Sequence, residues 1–408
     1  MTKIKKVSLD KIYNGSTGLA VNLEIMSNDG VFWSASLSLD SNDLKVLTTD
    51  LTWRQAQEQI GRLLLGLELD ESLWNQVNAK LSNSKHRKNL TKTLALLVEM
   101  VAIKASSSGR YLGCVEYLNE YLGFNQAMFV MPTPLITIFN GGRFGDTNLD
   151  FEDYLLIPLT KNKDSFAQKI QDSKLVFDKI GQLLRASGYD SDCGVLGAYA
   201  PEMASSLEAL DIMLAGVNLA GFVGAQDFGL GINVGSANLY DSSEHKYLFK
   251  LSHNYFNTAN LNQLYHEWLR QYPLFYLEDP LSEHDLEGWQ DLSEDFRDGL
   301  VLAGDKLFDG DISQFRKLLK YKLGNTIVLN ITSANSFLEL ADLIKLAKKH
   351  NYQVVLSAGE AETAEDFVAD FAVASNVDFV KFGALARSER VGKYNRLLII
   401  ASKLQNIV

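Results

Sequence analysis

The residues of this chain best suited to chemistry are acids, amides and a lysine placed at the ends of short apolar runs. Glu278-Asp279-Pro280 closes one run and Gly304-Asp305 the next, Asn233 and Asn330 end two others, and Lys381 ends a further run beside Phe382 and Gly383. Two carboxylates at adjacent strand ends would suit a hard divalent cation such as magnesium, which takes oxygen ligands. They would serve equally as helix N-caps or solvated loop acids, a common use of Asp where a strand meets a helix. A lysine in apolar surroundings can work as a desolvated acid or base, or grip a phosphate or carboxylate; the alternative is a structural pair with a barrel carboxylate. No serine or cysteine nucleophile system is legible, and His86, His245, His253, His266, His284 and His350 have no metal-ligand spacing. Asn140-Gly-Gly142 reads as a turn, and neither a Walker-type nor a dinucleotide glycine fingerprint is present.

Two kinds of element must carry these residues. In the first forty positions apolar residues alternate with small or polar ones across Gly18–Ile25 and Val31–Ser38, and Asn28-Asp-Gly30 between them is a turn signal. Over residues 51–123 the spacing becomes helical, which predicts an α+β unit over residues 1–125. From about residue 130 short runs alternate with amphipathic stretches: Leu155–Pro158, Gly231–Val234, Phe275–Leu277, Leu300–Ala303, Thr326–Leu329, Val354–Leu356 and Phe379–Lys381, with helices over 335–350 and 363–375. That alternation fits a parallel (β/α) barrel or an open doubly wound sheet. Polar residues in or just after successive runs (Asn233, Glu278, Asp305, Asn330, Lys381) favour the barrel, where such positions converge on the C-terminal mouth. Residues 126–408 are therefore read as an α/β barrel domain.

With 408 residues, 46% of them hydrophobic and 22% charged, the chain is long enough for two cores and has no disordered tail. A net charge of −11 without a basic stripe argues against nucleic-acid binding; Lys85-His86-Arg87-Lys88 reads as a solvated loop or helix end. Cys114 and Cys193 are ordinary thiols of a reducing compartment. The first residues lack a secretory apolar core, and no run is long enough for a membrane span, so a cytoplasmic protein is expected.

In their order along the chain these pieces resemble the enolase family. Phe139-Asn-Gly-Gly142 followed by Phe151-Glu-Asp-Tyr-Leu-Leu-Ile-Pro158 resembles the segment that opens the enolase barrel. Leu277-Glu-Asp-Pro280 with Glu287-Gly-Trp289, and then Gly304-Asp-Lys-Leu307, resemble its metal-binding strand ends. Glu362-Thr363, Asp366–Asp370, Lys381-Phe-Gly-Ala384, Arg387-Ser-Glu-Arg390 and Lys393-Tyr-Asn-Arg-Leu-Leu398 resemble its C-terminal pattern, the most specific match. The resemblance implies an enolase-type (β/α)8 barrel behind a smaller α+β domain. It further implies a lyase of glycolysis that interconverts 2-phosphoglycerate and phosphoenolpyruvate with two magnesium ions, a lysine base, a glutamate acid and an Arg-Ser phosphate grip.

Carried over residue by residue, that pattern is broken. The metal carboxylates are Glu278 and Asp305, but the third position is Asn233; the base position is Asn330, the acid position Leu196, and Lys381 is the retained second lysine. The phosphate arginine and serine fall at Gly359 and Glu360, the family histidine falls near Phe144, its Gln-Glu pair becomes Glu152-Asp153, and Leu37–Asp43 holds no counterpart of the flexible lid. Asparagine has no proton-accepting equilibrium, and losing one acid/base group costs about 10²–10⁴ in rate. An amide for a carboxylate weakens a magnesium site, and Glu360 in place of the phosphate grip repels a phosphorylated substrate. Magnesium binding is thus expected to be weakened or absent, and the leading expectation is a catalytically impaired or inactive homologue, a pseudoenzyme that binds an unknown small molecule or protein. The alternatives are another enolase-superfamily reaction run by Lys381 with Glu278 and Asp305, or a working enolase in which Lys306 replaces the base. The family's dimer ion pair corresponds to Asn22 and Ile399, so a homodimer would rest on apolar contact. Arg387–Arg390, retained beside substituted catalytic positions, is expected to hold the fold.

Overall fold

The computed structural model describes residues 2–47, 49–83, 90–159, 165–296 and 299–406; the Lys85–Lys88 cluster lies outside them. The chain begins with an antiparallel meander of β1 (Ile4–Tyr13), β2 (Leu19–Ser27) and β3 (Phe32–Ser38). Its first turn is fixed by Asn14, whose Oδ1 accepts the amides of Ser16 (3.0 Å) and Gly18 (2.8 Å). In the second turn Gly30 supplies a φ of +87°, which an L side chain resists.

Five helices follow among the described residues: α1 (Ser41–Val46), α2 (Asp50–Leu64), α3 (Leu73–Leu81), α4 (Lys92–Ser106) and α5 (Cys114–Tyr121). The α4 sequence is apolar nearly all round, so it must be covered on every side. It packs on β2, β3, α3 and α5, and Glu99 within it accepts the amide of Phe337 from the second part of the chain at 3.2 Å. Cys114 at the start of α5 is buried and Cys193 exposed, both free; burial pushes the Cys114 thiol up to about 12.

The second part closes on itself. Strands β4 (Thr133–Asn140), β5 (Asp153–Pro158), β6 (Phe228–Asn233), β10 (Leu274–Glu278), β11 (Val301–Gly304), β12 (Thr326–Asn330), β13 (Gln353–Ser357) and β14 (Phe379–Gly383) form an eight-stranded barrel in that order. Each run read from the sequence overlaps one of these strands, and none extends more than one residue beyond its strand's ends. A wholly parallel barrel is corrected in one strand: β5 runs antiparallel to both β4 and β6. The physical reason is the connection. Residues 141–152 between β4 and β5 carry no helix to cross the sheet, and a parallel return needs such a crossover. Two helices, α6 (Phe166–Ala186) and α7 (Glu208–Leu219), then join β5 to β6.

Two features were not legible. β4 contains Pro134, a residue that argues against an interior strand. Between β6 and β10 lies a small sheet of β7 (Tyr240–Asp241), β8 (Lys246–Phe249) and β9 (Asn254–Phe256), too short to announce itself. The remaining helices are α8 (Thr258–Gln271), α9 (Leu286–Asp295), α10 (Ile312–Leu318), α11 (Phe337–Lys349), α12 (Phe367–Ala374) and α13 (Ser388–Gln405), with α11 and α12 where the sequence predicts them. Among the described residues no helix is long and apolar enough to cross a membrane.

The α+β part is tied to the barrel by polar contacts. Glu365 accepts from the Ser36 amide at 3.1 Å and from Lys104 Nζ at 2.6 Å, while Ser36 Oγ meets Thr363 Oγ1 at 2.9 Å. The Glu365 side chain is 8% exposed, so removing it takes the charge partner from Lys104, which keeps only the Ser34 carbonyl at 2.9 Å, and leaves the Ser36 amide without its acceptor. Glu365→Ala is expected to lower the unfolding free energy by about 3 kcal/mol in urea titrations; a change below about 0.5 kcal/mol, the usual range for surface substitutions, would remove this seam from the energetics of the fold.

Candidate functional site

The reversed strand decides what the barrel mouth contains. Because β5 starts where its neighbours end, Asp153 sits in register with Asn140 at the end of β4 and Asn233 at the end of β6. Asn140 Nδ2 donates to Asp153 Oδ1 at 3.3 Å, and Asn233 Nδ2 to Asp153 Oδ2 at 3.3 Å and Glu152 Oε2 at 3.2 Å. This orients Asn233 with its Oδ1 buried and without a partner among the described residues, as is Thr137 Oγ1. Both residues line a mouth cavity of about 250 Å³.

Glu278 and Lys381 meet across the barrel. The Lys381 ammonium donates to Glu278 Oε1 at 2.6 Å and Oε2 at 2.8 Å, and lies 3.8 Å from Asp153 Oδ2. From below, the Tyr276 hydroxyl donates to Glu278 Oε2 at 2.5 Å. Tyr276 precedes Glu278 by two residues, so strand periodicity puts both side chains inside the barrel. Burial opposes the Lys381 charge, but Glu278, Asp153 and Asp305 outweigh it and hold the ammonium above the usual lysine range. Lys381 and the barrel carboxylate Glu278 thus form a buried ion pair.

Asp279 is a buried organiser rather than a solvated loop acid. With φ at +42°, it accepts the amides of Asp305 at 2.9 Å and Lys306 at 3.0 Å, which sets the next strand end. Burial, reinforced by Asp305 and Glu278, pushes its carboxyl well above the ordinary range; burial and Glu278 raise that of Asp305. Asp305 is partly buried and Lys306 exposed, and both line the cavity.

Asn330, Leu196, Gly359 and Glu360, the positions read from the resemblance as substituted, line the same cavity. Asn330 Oδ1 accepts from the amide and the hydroxyl of Thr332, both at 2.9 Å, so it is spent on its own turn. Leu196 is 8% exposed; its amide donates to Asn140 Oδ1 at 3.2 Å and its carbonyl accepts from Ala384 at 3.0 Å. Gly383 makes that approach possible: its φ is +90°, and a Cβ there would lie 2.8 Å from the Leu196 carbonyl oxygen. Gly359 donates its amide to Glu362, while Arg390 donates to the carbonyls of Gly359 (2.7 Å) and Glu360 (2.5 Å). The Glu360 carboxylate is exposed and lies 3.4 Å from Arg143, which also pairs with Glu152 at 3.0 Å and stacks over Phe144.

Sequence reasoning missed Tyr276 and Arg143, and named Asn140 and Asp279 only as parts of a turn and a strand-end motif without their buried hydrogen bonds. The i, i+2 spacing of Tyr276 and Glu278 was a usable signal. Arg143 gave none, because its partner Glu360 is 217 positions away.

A closed barrel with one reversed strand, an α+β domain clamped to it, and acids, amides and a buried lysine gathered at the C-terminal mouth define a capped-barrel protein of the enolase type. The family model of the enolase C-terminal TIM barrel domain matches residues 128–408. The chain belongs to the enolase family. Curated relatives named enolase include that of Ehrlichia ruminantium (strain Welgevonden), 28% identical over 98% of this chain and 97% of the relative. Those of Ehrlichia canis (strain Jake) and Mycoplasma pneumoniae are each 29% identical, over 85% and 86% of this chain and 80% and 79% of their own lengths.

Asp153 provides a titration of this constellation. Burial, with Glu152 and Glu278 beside it, outweighs Lys381 and raises its carboxyl from 3.8 to about 6. Below pH 3.8 it is protonated folded or unfolded and costs nothing. As pH rises from 3.8 to about 6 the unfolded chain releases its proton first, and the fold loses up to about 3 kcal/mol relative to the unfolded state. Wild type is therefore expected to lose stability relative to Asp153→Asn across that window and run parallel above it. Urea unfolding as a function of pH checks this; parallel profiles throughout would sink it.

Proposed function

We propose that this enolase-family protein is catalytically impaired, with no effective dehydration of 2-phosphoglycerate, and that its mouth is a binding rather than a reacting surface. The observation that carries this reading is the double engagement of the two groups the reaction would use first. The side chain at the base position, Asn330, has no titratable proton and is committed to Thr332. The retained lysine, Lys381, is held charged by Glu278, so it has no free electron pair to take a proton from carbon.

The relatives that share this chain's length are named enolase, a family whose chemistry depends on two magnesium ions, a base, an acid and a phosphate grip. The residues here do not fit magnesium as they are set. Both oxygens of Glu278 are taken by Lys381 and Tyr276, and Asn233 turns its N–H groups to Glu152 and Asp153. Asp305 retains a carboxylate facing the cavity, but one carboxylate and an amide oxygen are a weak set for an ion that dehydrates reluctantly. At the phosphate position, Gly359 contributes no side chain and Glu360 contributes an acid, with Arg143 already paired to it. A reaction in which Lys381 acts as base on another substrate meets the same obstacle, since the carboxylates around it favour the charged form.

With magnesium and 2-phosphoglycerate supplied, turnover is expected to lie at least about 10⁴-fold below a working enolase, since both a base and an acid are replaced. The appearance of phosphoenolpyruvate followed by its ultraviolet absorbance tests this. A rate within about tenfold of the control, less than the loss of one acid/base group predicts, overturns the reading and points to Lys306 as the base.

A further inference from the structure

We propose that the open edge of β1 takes up an extended acidic peptide, which adds a strand to the three-stranded meander in the groove between β1 and α2. The inference concerns the α+β part and holds whether or not the barrel mouth turns over a substrate.

One end of this edge is already in use. The Ile4 amide donates to the Leu67 carbonyl and the Ile4 carbonyl accepts from Gly66, both at 3.0 Å, while Leu69 donates to Thr2 at 2.8 Å. Lys3 and Glu68 thereby pair antiparallel. β1 runs on to Tyr13, and beyond Ile4 its backbone bonds no element other than β2 among the described residues. An edge strand of this kind presents unpaired N–H and C=O groups that template a further strand.

Beside the edge lies a groove of about 610 Å³, walled by Val7 of β1 and by one stripe of α2 from Arg54 to Leu65. Along that stripe the helix rises about 16 Å, the length of about five extended residues. Gly61 keeps the floor open, since a Cβ there meets only Leu65, at 3.6 Å.

Charge names the occupant. β1 carries Lys5, Lys6 and Lys11 against Asp10, and the α2 stripe carries Arg54 and Arg62 against Glu58, in a chain of net charge −11. Asp50 engages Lys11 and Glu58 engages Arg62, each at 3.6 Å, whereas Lys5, Lys6 and Arg54 have no ion-pair partner among the described residues. Lysines along an edge oppose its pairing with a second copy, where they would meet one another, but attract an acidic strand.

The test is fluorescence anisotropy of a labelled peptide of alternating Glu and Val, titrated with the full chain beside its Lys and Val counterpart. The acidic peptide is expected to bind saturably and at least about tenfold more tightly than the basic one, less so as salt rises. Arg54→Glu combined with Arg62→Glu is expected to abolish this binding. Gly61→Glu is expected to abolish it with no fall in Tm, since glutamate forms helix better than glycine. N-methylation of alternate peptide residues separates strand addition from charge attraction: one set of amides faces β1, so methylating that set is expected to abolish binding and methylating the other to spare it. The same effect from both sets, or no saturable binding of the acidic peptide, would overturn the inference. So would a dimer in sedimentation that Gly61→Glu splits, which would make a second copy the occupant.

Discussion

Glu278 ends a strand in the middle of a closed barrel and is fully buried there, above an interior filled by Leu135, Leu155, Tyr276, Val355 and Phe379. Taking a carboxylate out of water costs several kcal/mol unless a cation and hydrogen bonds replace its hydration. Lys381 and Tyr276 do so together, one with charge and the other with a phenolic proton. The rest of the mouth is arranged around that pair. Asp153 leans on the same ammonium, Asn140 and Asn233 bridge the acids by their amides, and Asp279 fastens the next strand end to the ring.

The loops around this layer are held by residues of the C-terminal helix. Arg390, 1% exposed, binds the carbonyls of Gly359 and Glu360. Lys393, fully buried, donates to the carbonyls of Thr363 and Glu389 and pairs with Glu362 at 3.0 Å. Arg387, at a φ of +65°, reaches the carbonyls of Gly15 in the α+β part and Gly194 in the barrel. One short stretch therefore pins the rim of the mouth and clamps the two parts of the chain. That gives these residues a structural role independent of any chemistry at the mouth.

The mouth is densely organised by internal contacts. Its asparagines serve turns and bridges, and two of its exposed charges, Arg143 and Glu360, are paired with each other while Lys306 stands beside Asp305. An enolase-type barrel places groups from many strands at one point, and altering a few of them leaves the scaffold intact because the barrel core below is apolar and independent of them. Family membership and fold follow from the scaffold; activity follows from those few groups.

The strand runs, the α11 and α12 helices, the α+β-then-barrel order and the convergence of Asn233, Glu278, Asp305, Asn330 and Lys381 were determined by the sequence itself, because periodicity and strand-end position are local properties. The side-chain types at those strand ends were likewise readable, and an asparagine has no proton-accepting equilibrium in any fold. Tertiary structure alone decided that β5 reverses and so brings Asp153 to the mouth, and that Lys381 faces Glu278 103 positions away rather than a free cavity. It alone decided that Asp279 organises a loop and that Arg143 finds Glu360. Those outcomes depend on distances between strand ends far apart in the chain, and on burial that sets the charge state of each group, neither of which any local pattern encodes.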